Sequence, residues 1–70
     1  MQRVPVKSTS IKSIGYDEKE KILEIEFHTN FVYQYFDVPV EVYEALVKAE
    51  SKGKYYNINI KNKYQYAVKN

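Results

Sequence analysis

The chain has 70 residues, of which 44% are apolar and 29% charged, so we expect one small globular domain. It contains no cysteine and only one histidine, His28, which excludes disulfide bonds, a thiolate zinc cluster and a multi-histidine metal site; no cofactor is expected. The net charge of +2 is too small to indicate a polyanionic partner by itself. No signal peptide or membrane span is expected, which predicts a cytoplasmic protein.

The first part of the chain predicts an arm, a strand and a turn. Residues 1–6 contain Pro5 and show no hydrophobic periodicity, so we expect a flexible N-terminal arm, with the single domain occupying 7–70. β-branched and aromatic residues mixed with small polar ones then predict a first strand that ends near Gly15. The charged residues 17–21 predict a turn.

Residues 22–27 are the clearest predicted strand, because apolar side chains alternate with Glu24 and Glu26. We expect the two carboxylates to lie on a solvated face, and acid–base chemistry is disfavoured because no pocket accompanies them. Residues 28–30 predict a three-residue hairpin loop, with Asn30 in the left-handed conformation.

The strand that returns from this loop carries the triplet YQY at 33–35. Pairing Ile25 with Tyr33 gathers the apolar and aromatic side chains on one face, whereas a shift of one residue sets Ile25 against a glutamine. We therefore expect Tyr33 and Tyr35 on the core face of the sheet.

The second half predicts two helices. Pro39 suits the first position of a helix over 39–50, and Ser51 suits the N-cap of a second helix. Residues 55–60 fit both a strand and a helix, with a slight preference for the helix, and 64–68 predict a short strand or an ordered tail. The predicted fold is α+β: a three-stranded antiparallel meander followed by two short helices packed on one face.

Charge is unevenly distributed along the chain. All nine acidic residues lie within 1–50, whereas the last twenty residues contain five lysines and no acid. Tyrosines are interleaved with these lysines, and proteins that bind single-stranded nucleic acid combine lysines for phosphates with aromatic rings for bases. The alternative is a solvated basic face that keeps a tyrosine-rich protein soluble.

The order of several short motifs resembles the KTSC domain family. The motifs are KSTSIKSIGYD at 7–17, LEIEF at 23–27, the central YxY of Tyr33 and Tyr35, Val38-Pro39 with Tyr43, and AESKGKYY at 49–56. The resemblance implies a domain found alone in bacterial proteins and at the C-terminus of some lysyl-tRNA synthetases. It implies a helix after Ser51, no catalytic residues, and RNA binding as the suggested activity. Asn30 stands where the family commonly has glycine, which asparagine can replace in a left-handed turn.

Two non-catalytic functions follow. The first is an RNA-binding module with the candidate contacts Tyr33, Tyr35, Lys52, Lys54, Lys61 and Lys63. The expected position of the tyrosines on the core face argues against it. The alternative is a protein-interaction or self-association module that uses an edge strand, or Val32 and Phe36 on the open sheet face. An enzyme is not expected, because His28 has no matched nucleophile or acid, and we expect a monomer without a membrane partner.

Overall fold

The structure, a computed structural model, describes residues 1–69. The strands are β1 (Arg3–Pro5), β2 (Ile11–Asp17), β3 (Ile22–Phe27), β4 (Val32–Tyr35) and β5 (Tyr66–Lys69), and the helices are α1 (Val40–Lys48) and α2 (Lys52–Asn59). Each strand pairs antiparallel with the next one in sequence, and both helices are inserted between β4 and β5. No helix within residues 1–69 has the length and apolar character needed to cross a lipid bilayer.

The predicted α+β class is confirmed, but the sheet has five strands rather than three. The segment 1–6, expected to be a flexible arm, contains β1, which pairs with β2. β5 pairs with β4, so the strand alternative is correct for 64–68. Both additional strands are short and lie at the sheet edges, where the sequence has little hydrophobic alternation of its own. Their pairing depends on the neighbouring strands, which a local pattern does not reveal.

The register of the central hairpin is the predicted one. Ile25 lies opposite Tyr33, and Leu23 lies opposite Tyr35. Asn30 adopts a positive φ of 73°, which confirms its predicted left-handed conformation in the loop. Because side chains alternate along a strand, this register places both tyrosines on the core face of the sheet.

The hydrophobic core lies between this face and the two helices. Its buried apolar side chains are Ile11, Ile14, Leu23, Ile25, Tyr35, Val38, Leu46 and Ile60. An irregularity in the pairing between Ile11 and Ser13 changes the phase of β2, so that Ile11 and Ile14 both face the core although they are three residues apart. Each large aliphatic side chain buried here contributes about 1.5–3 kcal/mol to the free energy of unfolding.

The helices begin close to where the sequence predicts. Ser51 caps α2, since its hydroxyl accepts a hydrogen bond from the Lys54 amide at 3.3 Å. Pro39 lies at the N-cap of α1, one residue before the predicted position. The ambiguous segment 55–60 belongs mostly to α2. The helical alternative is therefore correct. A strand would place Ile58 on the same face as its alternate apolar neighbours, but Ile58 is 58% exposed.

Candidate functional site

The face of the sheet away from the helices carries a polar network centred on Arg3. The Arg3 side chain lies against Gly15, forms a salt bridge with Glu24, and donates from Nε to Ser13 Oγ at 3.1 Å. Gln34 donates a further hydrogen bond to Glu24 at 2.8 Å. Glu24 is only 8% exposed, so the network occupies the centre of the open face.

Both carboxylates of β3 are compensated within the fold. Burial raises the pKa of Glu24, but hydrogen bonds from Gln34 and Arg3 and the charge of Arg3 outweigh burial and hold the pKa below its ordinary value. Glu26 accepts from Ser13 Oγ at 3.0 Å and lies 3.7 Å from Arg3 Nη2. The expectation that Glu24 and Glu26 form a solvated face is therefore wrong.

The alternative partner-binding residues have polar neighbours. Val32 lies between Glu26 on β3 and Lys69 on β5 in the pairing register. The Phe36 amide donates to the carbonyl of Gln65 at 2.9 Å, next to β5. Val32 and Phe36 are both half-buried. The open face thus presents polar groups around Val32.

On the helix side, five aromatic residues form a continuous group, the aromatic cluster. Phe27 packs edge-on against Tyr33 and Tyr56, with ring centroids 5.5 and 5.2 Å apart. Tyr66 lies 5.6 Å from Tyr33 and 5.8 Å from Tyr35. Tyr35 is 2% exposed and Tyr66 is 56% exposed. The aromatic cluster therefore extends from the core to the surface.

Tyr35 is the buried end of the aromatic cluster. Its hydroxyl is hydrogen-bonded to the hydroxyl of Tyr56. Burial, and then the hydrogen bond with Tyr56, raises the pKa of Tyr35 far above its ordinary value, so the hydroxyl stays protonated. No base can stack on so buried a ring. The burial of Tyr35 argues against its predicted role as a direct RNA contact, and its position supports Tyr56 and Tyr66.

Two crevices open beside the aromatic cluster. The larger, the hairpin crevice of about 450 Å³, is lined by Thr9, Ser10, Phe27, His28, Thr29, Tyr33, Tyr56 and Lys61. The smaller, the tyrosine crevice of about 130 Å³, is lined by Tyr33, Tyr35, Tyr56, Lys61, Asn62 and Tyr66. Lys61 lines both crevices. Of the residues described, none that lines either crevice is acidic.

The other predicted lysines are less closely associated with the aromatic cluster. Lys52 and Lys54 line a third crevice where α2 begins, which shares Thr9 and Ser10 with the hairpin crevice. Lys52 also donates from Nζ to the carbonyl of Ala49 at 3.1 Å. The exposed Lys63 is not among the lining residues of these three crevices.

His28 fixes one wall of the hairpin crevice. Its Nε2 lies 2.9 Å from the carbonyl of Ser8, and its amide donates to the carbonyl of Ser10 at 3.0 Å. A carbonyl oxygen only accepts, so Nε2 carries the proton and Nδ1 is an acceptor in the neutral ring. These two bonds hold the loop before β2 against the β3–β4 hairpin. His28 thus has a structural role in shaping the crevice.

Sequence reasoning did not include Tyr66 among the site residues. Tyr66 reaches the aromatic cluster because β5 pairs with β4, which places it directly opposite Tyr35. The available signal was the second YQY triplet, at 64–66, which repeats the triplet at 33–35. Alternate aromatic residues are typical of a strand, so the repeat was compatible with pairing of the two segments.

Comparison with known proteins gives the family. The family model of the KTSC domain matches residues 7–64. The chain belongs to the KTSC domain family. The fold is also that of a KTSC domain protein from Yersinia pestis, whose crystal structure aligns with a TM-score of 0.96 and 39% identity over 99% of this chain and 97% of that one.

Relatives of this KTSC domain occur in two contexts. An uncharacterized protein of Stutzerimonas stutzeri is 46% identical over 57 residues, which cover 81% of this chain and 80% of that protein. A lysine–tRNA ligase of Nostoc punctiforme is 45% identical over 56 residues, which cover 80% of this chain but 10% of the ligase. A lysine–tRNA ligase of Trichormus variabilis is similar to the same extent, with 43% identity over 56 residues. The similarity thus covers most of this chain but only a tenth of each ligase.

Proposed function

We propose that this KTSC domain is a non-catalytic module that binds single-stranded RNA on its helix side. The observation that carries the proposal is the position of Lys61, which lines both crevices beside the aromatic cluster. In RNA-binding modules, unpaired bases stack on aromatic side chains and lysines contact the phosphates. Tyr33 and Tyr66 supply ring surface, and Lys61 supplies the charge.

The electrostatic difference between the faces supports this location. On the open face, Arg3 is paired with Glu24 and Glu26. Within residues 1–69, the salt bridges are confined to that face, and Lys61 takes part in none. An uncompensated ammonium group attracts phosphate more strongly than one already paired with a carboxylate. Lys61 differs from the other lysines without a salt bridge because it lines two crevices beside the aromatic cluster in which no described lining residue is acidic, which favours this surface for a nucleic-acid backbone.

The predicted contacts contribute unequally to the proposed interface. Lys61 and Tyr33 lie at its centre. Lys52 and Lys54 extend it toward the start of α2, but Glu50 lines the same crevice and partly offsets their charge. Lys63 lies outside the three crevices and is expected to act only through long-range attraction.

The relatives favour RNA over other polyanions. The lysine–tRNA ligases that contain a similar segment are, by name, enzymes that act on tRNA. A small module within such an enzyme is suited to adding contacts with that substrate. The open-face alternative receives less support, since Val32 is flanked by charged residues rather than by an apolar patch.

The proposal is tested by NMR titration of the labelled protein with a pool of short single-stranded RNAs and with tRNA. At low salt, we expect shifts in Tyr33, Lys61 and Tyr66, and the affinity should fall with salt by a slope of roughly −0.7 for each phosphate contacted. Lys61→Gln should weaken binding. The matched control is Lys19→Gln. Lys19 lies in the β2–β3 turn, at the opposite end of β3 from the hairpin crevice, so this variant should bind almost normally. An absence of shifts at low salt would refute RNA binding.

A further inference from the structure

We propose that the hairpin crevice holds one unpaired nucleotide, with the base against the aromatic rings and the phosphate toward Lys61. The inference rests on the proposed function and deepens it, because it identifies where selectivity for single strands arises. A base that is paired and stacked in a duplex cannot enter a crevice, whereas a splayed-out base can.

The size of the hairpin crevice fits a single nucleotide. Its volume of about 450 Å³ lies near the lower end of the range for small-molecule sites, which is about 300–1,000 Å³. Neighbouring nucleotides of the strand must then lie outside it, along the surface that includes the tyrosine crevice. Lys61 and Tyr33 line both crevices, so a strand can continue from one to the other.

The lining combines the groups that a nucleobase requires. Phe27, Tyr33 and Tyr56 provide aromatic surface on one part of the crevice. The hydroxyl groups of Thr9 and Thr29 can each donate or accept a hydrogen bond, which suits the mixed donors and acceptors on the edge of a base.

The crevice is formed by hydrogen bonds within the fold, one from the His28 ring and one from the His28 backbone amide. His28 joins the loop before β2 to the hairpin through Ser8 and Ser10. On the other side, Ser10 lies beside the first turn of α2, where a side chain on Gly53 would come within 3.3 Å of the Ser10 hydroxyl. A preformed site loses less conformational freedom when it binds, which favours even a single small group.

The charge around the crevice selects an anion. Lys61 is the cationic residue of the lining, and of the residues described, none that lines the crevice is acidic. A nucleotide combines a flat ring with an anionic phosphate, and these two properties match the rings and the ammonium group. A free mononucleotide and one nucleotide of an RNA strand share the flat ring and the anionic phosphate, so the experiment must distinguish between these two ligands.

The test compares four probes by NMR: a single-stranded RNA hexamer of mixed sequence, the corresponding duplex, free UMP and free AMP. We expect the hexamer to shift the signals of Thr9, His28 and Thr29, and the duplex to leave them unchanged. Free mononucleotides should shift the same signals with at least tenfold weaker affinity. If UMP or AMP binds as tightly as the hexamer, the site belongs to free nucleotides and the RNA source is refuted.

Variants separate this inference from the proposed function. Thr29→Trp places an indole in the mouth of the crevice and should reduce hexamer affinity roughly tenfold, as expected for the loss of one stacked base. Val47→Trp adds the same group on α1, outside the crevices, and should have no effect. Thr29→Val, which replaces the hydroxyl by a methyl group of similar size, provides a milder test if Thr29→Trp does not fold.

The possible results of these experiments have different consequences for the crevice inference and for RNA binding. If Thr29→Trp and Thr29→Val bind the hexamer with wild-type affinity while Lys61→Gln binds it weakly, the crevice inference is wrong and RNA binding stands. If the wild-type protein does not bind the hexamer at low salt, both are wrong. If the hexamer shifts only Tyr66 and its neighbours on β5, the strand lies outside the crevice and the inference is likewise refuted.

Discussion

The two faces of the sheet use charge in opposite ways. On the open face, Arg3 and Lys12 offset the charges of Glu24 and Glu26. On the helix side, Lys61 lies beside aromatic rings, in crevices whose described lining has no carboxylate. The net charge of +2 conceals this difference, because it sums compensated and uncompensated groups. A binding surface is better located by charges that lack a partner than by the number of charges.

The structure of the helix side depends most on Tyr35, the buried end of the aromatic cluster. Tyr35→Ala should lower the free energy of unfolding by about 3–5 kcal/mol, because it leaves a large cavity in the core. Tyr35→Phe removes only the hydrogen bond to Tyr56 and should cost about 1 kcal/mol. Urea denaturation measures both changes. Equal losses in the two variants would show that the hydroxyl pair, and not the packing of the ring, stabilises the cluster.

The open face can be perturbed at Gly15 without touching the helix side. A Cβ atom at Gly15 would lie 2.7 Å from the carbonyl oxygen of Gln2 and 3.0 Å from the Arg3 side chain. Gly15→Ala should therefore displace β1 and destabilise the fold by about 1–3 kcal/mol. Amide exchange at Val4 should become faster. Protection there as strong as in the wild-type protein would contradict the proposed clash.

The Arg3 network predicts a pH dependence of stability. Because the pKa of Glu24 is lowered in the fold, its stabilising contribution is present above the unfolded pKa and is lost as the pH falls through the folded pKa. Arg3→Met should cost about 1 kcal/mol at neutral pH, since Glu24 keeps only Gln34 as a partner. The difference from the wild-type protein should narrow at about pH 3, which lies below the ordinary pKa of glutamate, so that part of the contribution of Glu24 is lost.

Urea denaturation of both proteins at the two pH values tests this prediction. Lys12→Met is a suitable control, because Lys12 lies 3.9 Å from Glu26 and its side chain is 51% exposed. Its effect on stability should be small at either pH. A difference between Arg3→Met and the wild-type protein that does not change with pH would mean that Glu24 is not the titrating group.

The sequence predicts those features of the two faces that depend on a local pattern of residues. The β3–β4 hairpin follows from apolar alternation and from Asn30, both of which act within a few residues. β1 is not predicted, and β5 is predicted only as one of two alternatives, because their pairing is non-local and their own patterns are weak. The burial of Glu24 depends on Arg3, twenty-one residues away in the chain, so alternation alone assigned this carboxylate to solvent. Tyr66 was missed because its position also depends on a residue far away in the chain, Tyr35.

The smallest expected effect on stability lies at Tyr66, the exposed end of the aromatic cluster. Tyr66→Val keeps a residue that favours strands and should change the free energy of unfolding by no more than about 0.5 kcal/mol. The same change should lower the affinity for a single-stranded RNA roughly fivefold, because it removes a stacking surface next to Lys61. Phe31→Val is the matched control, since Phe31 is aromatic and 44% exposed but lines neither crevice that contains Lys61. Equal losses of affinity in the two variants would mean that exposed aromatic surface, and not its position beside an uncompensated lysine, determines binding.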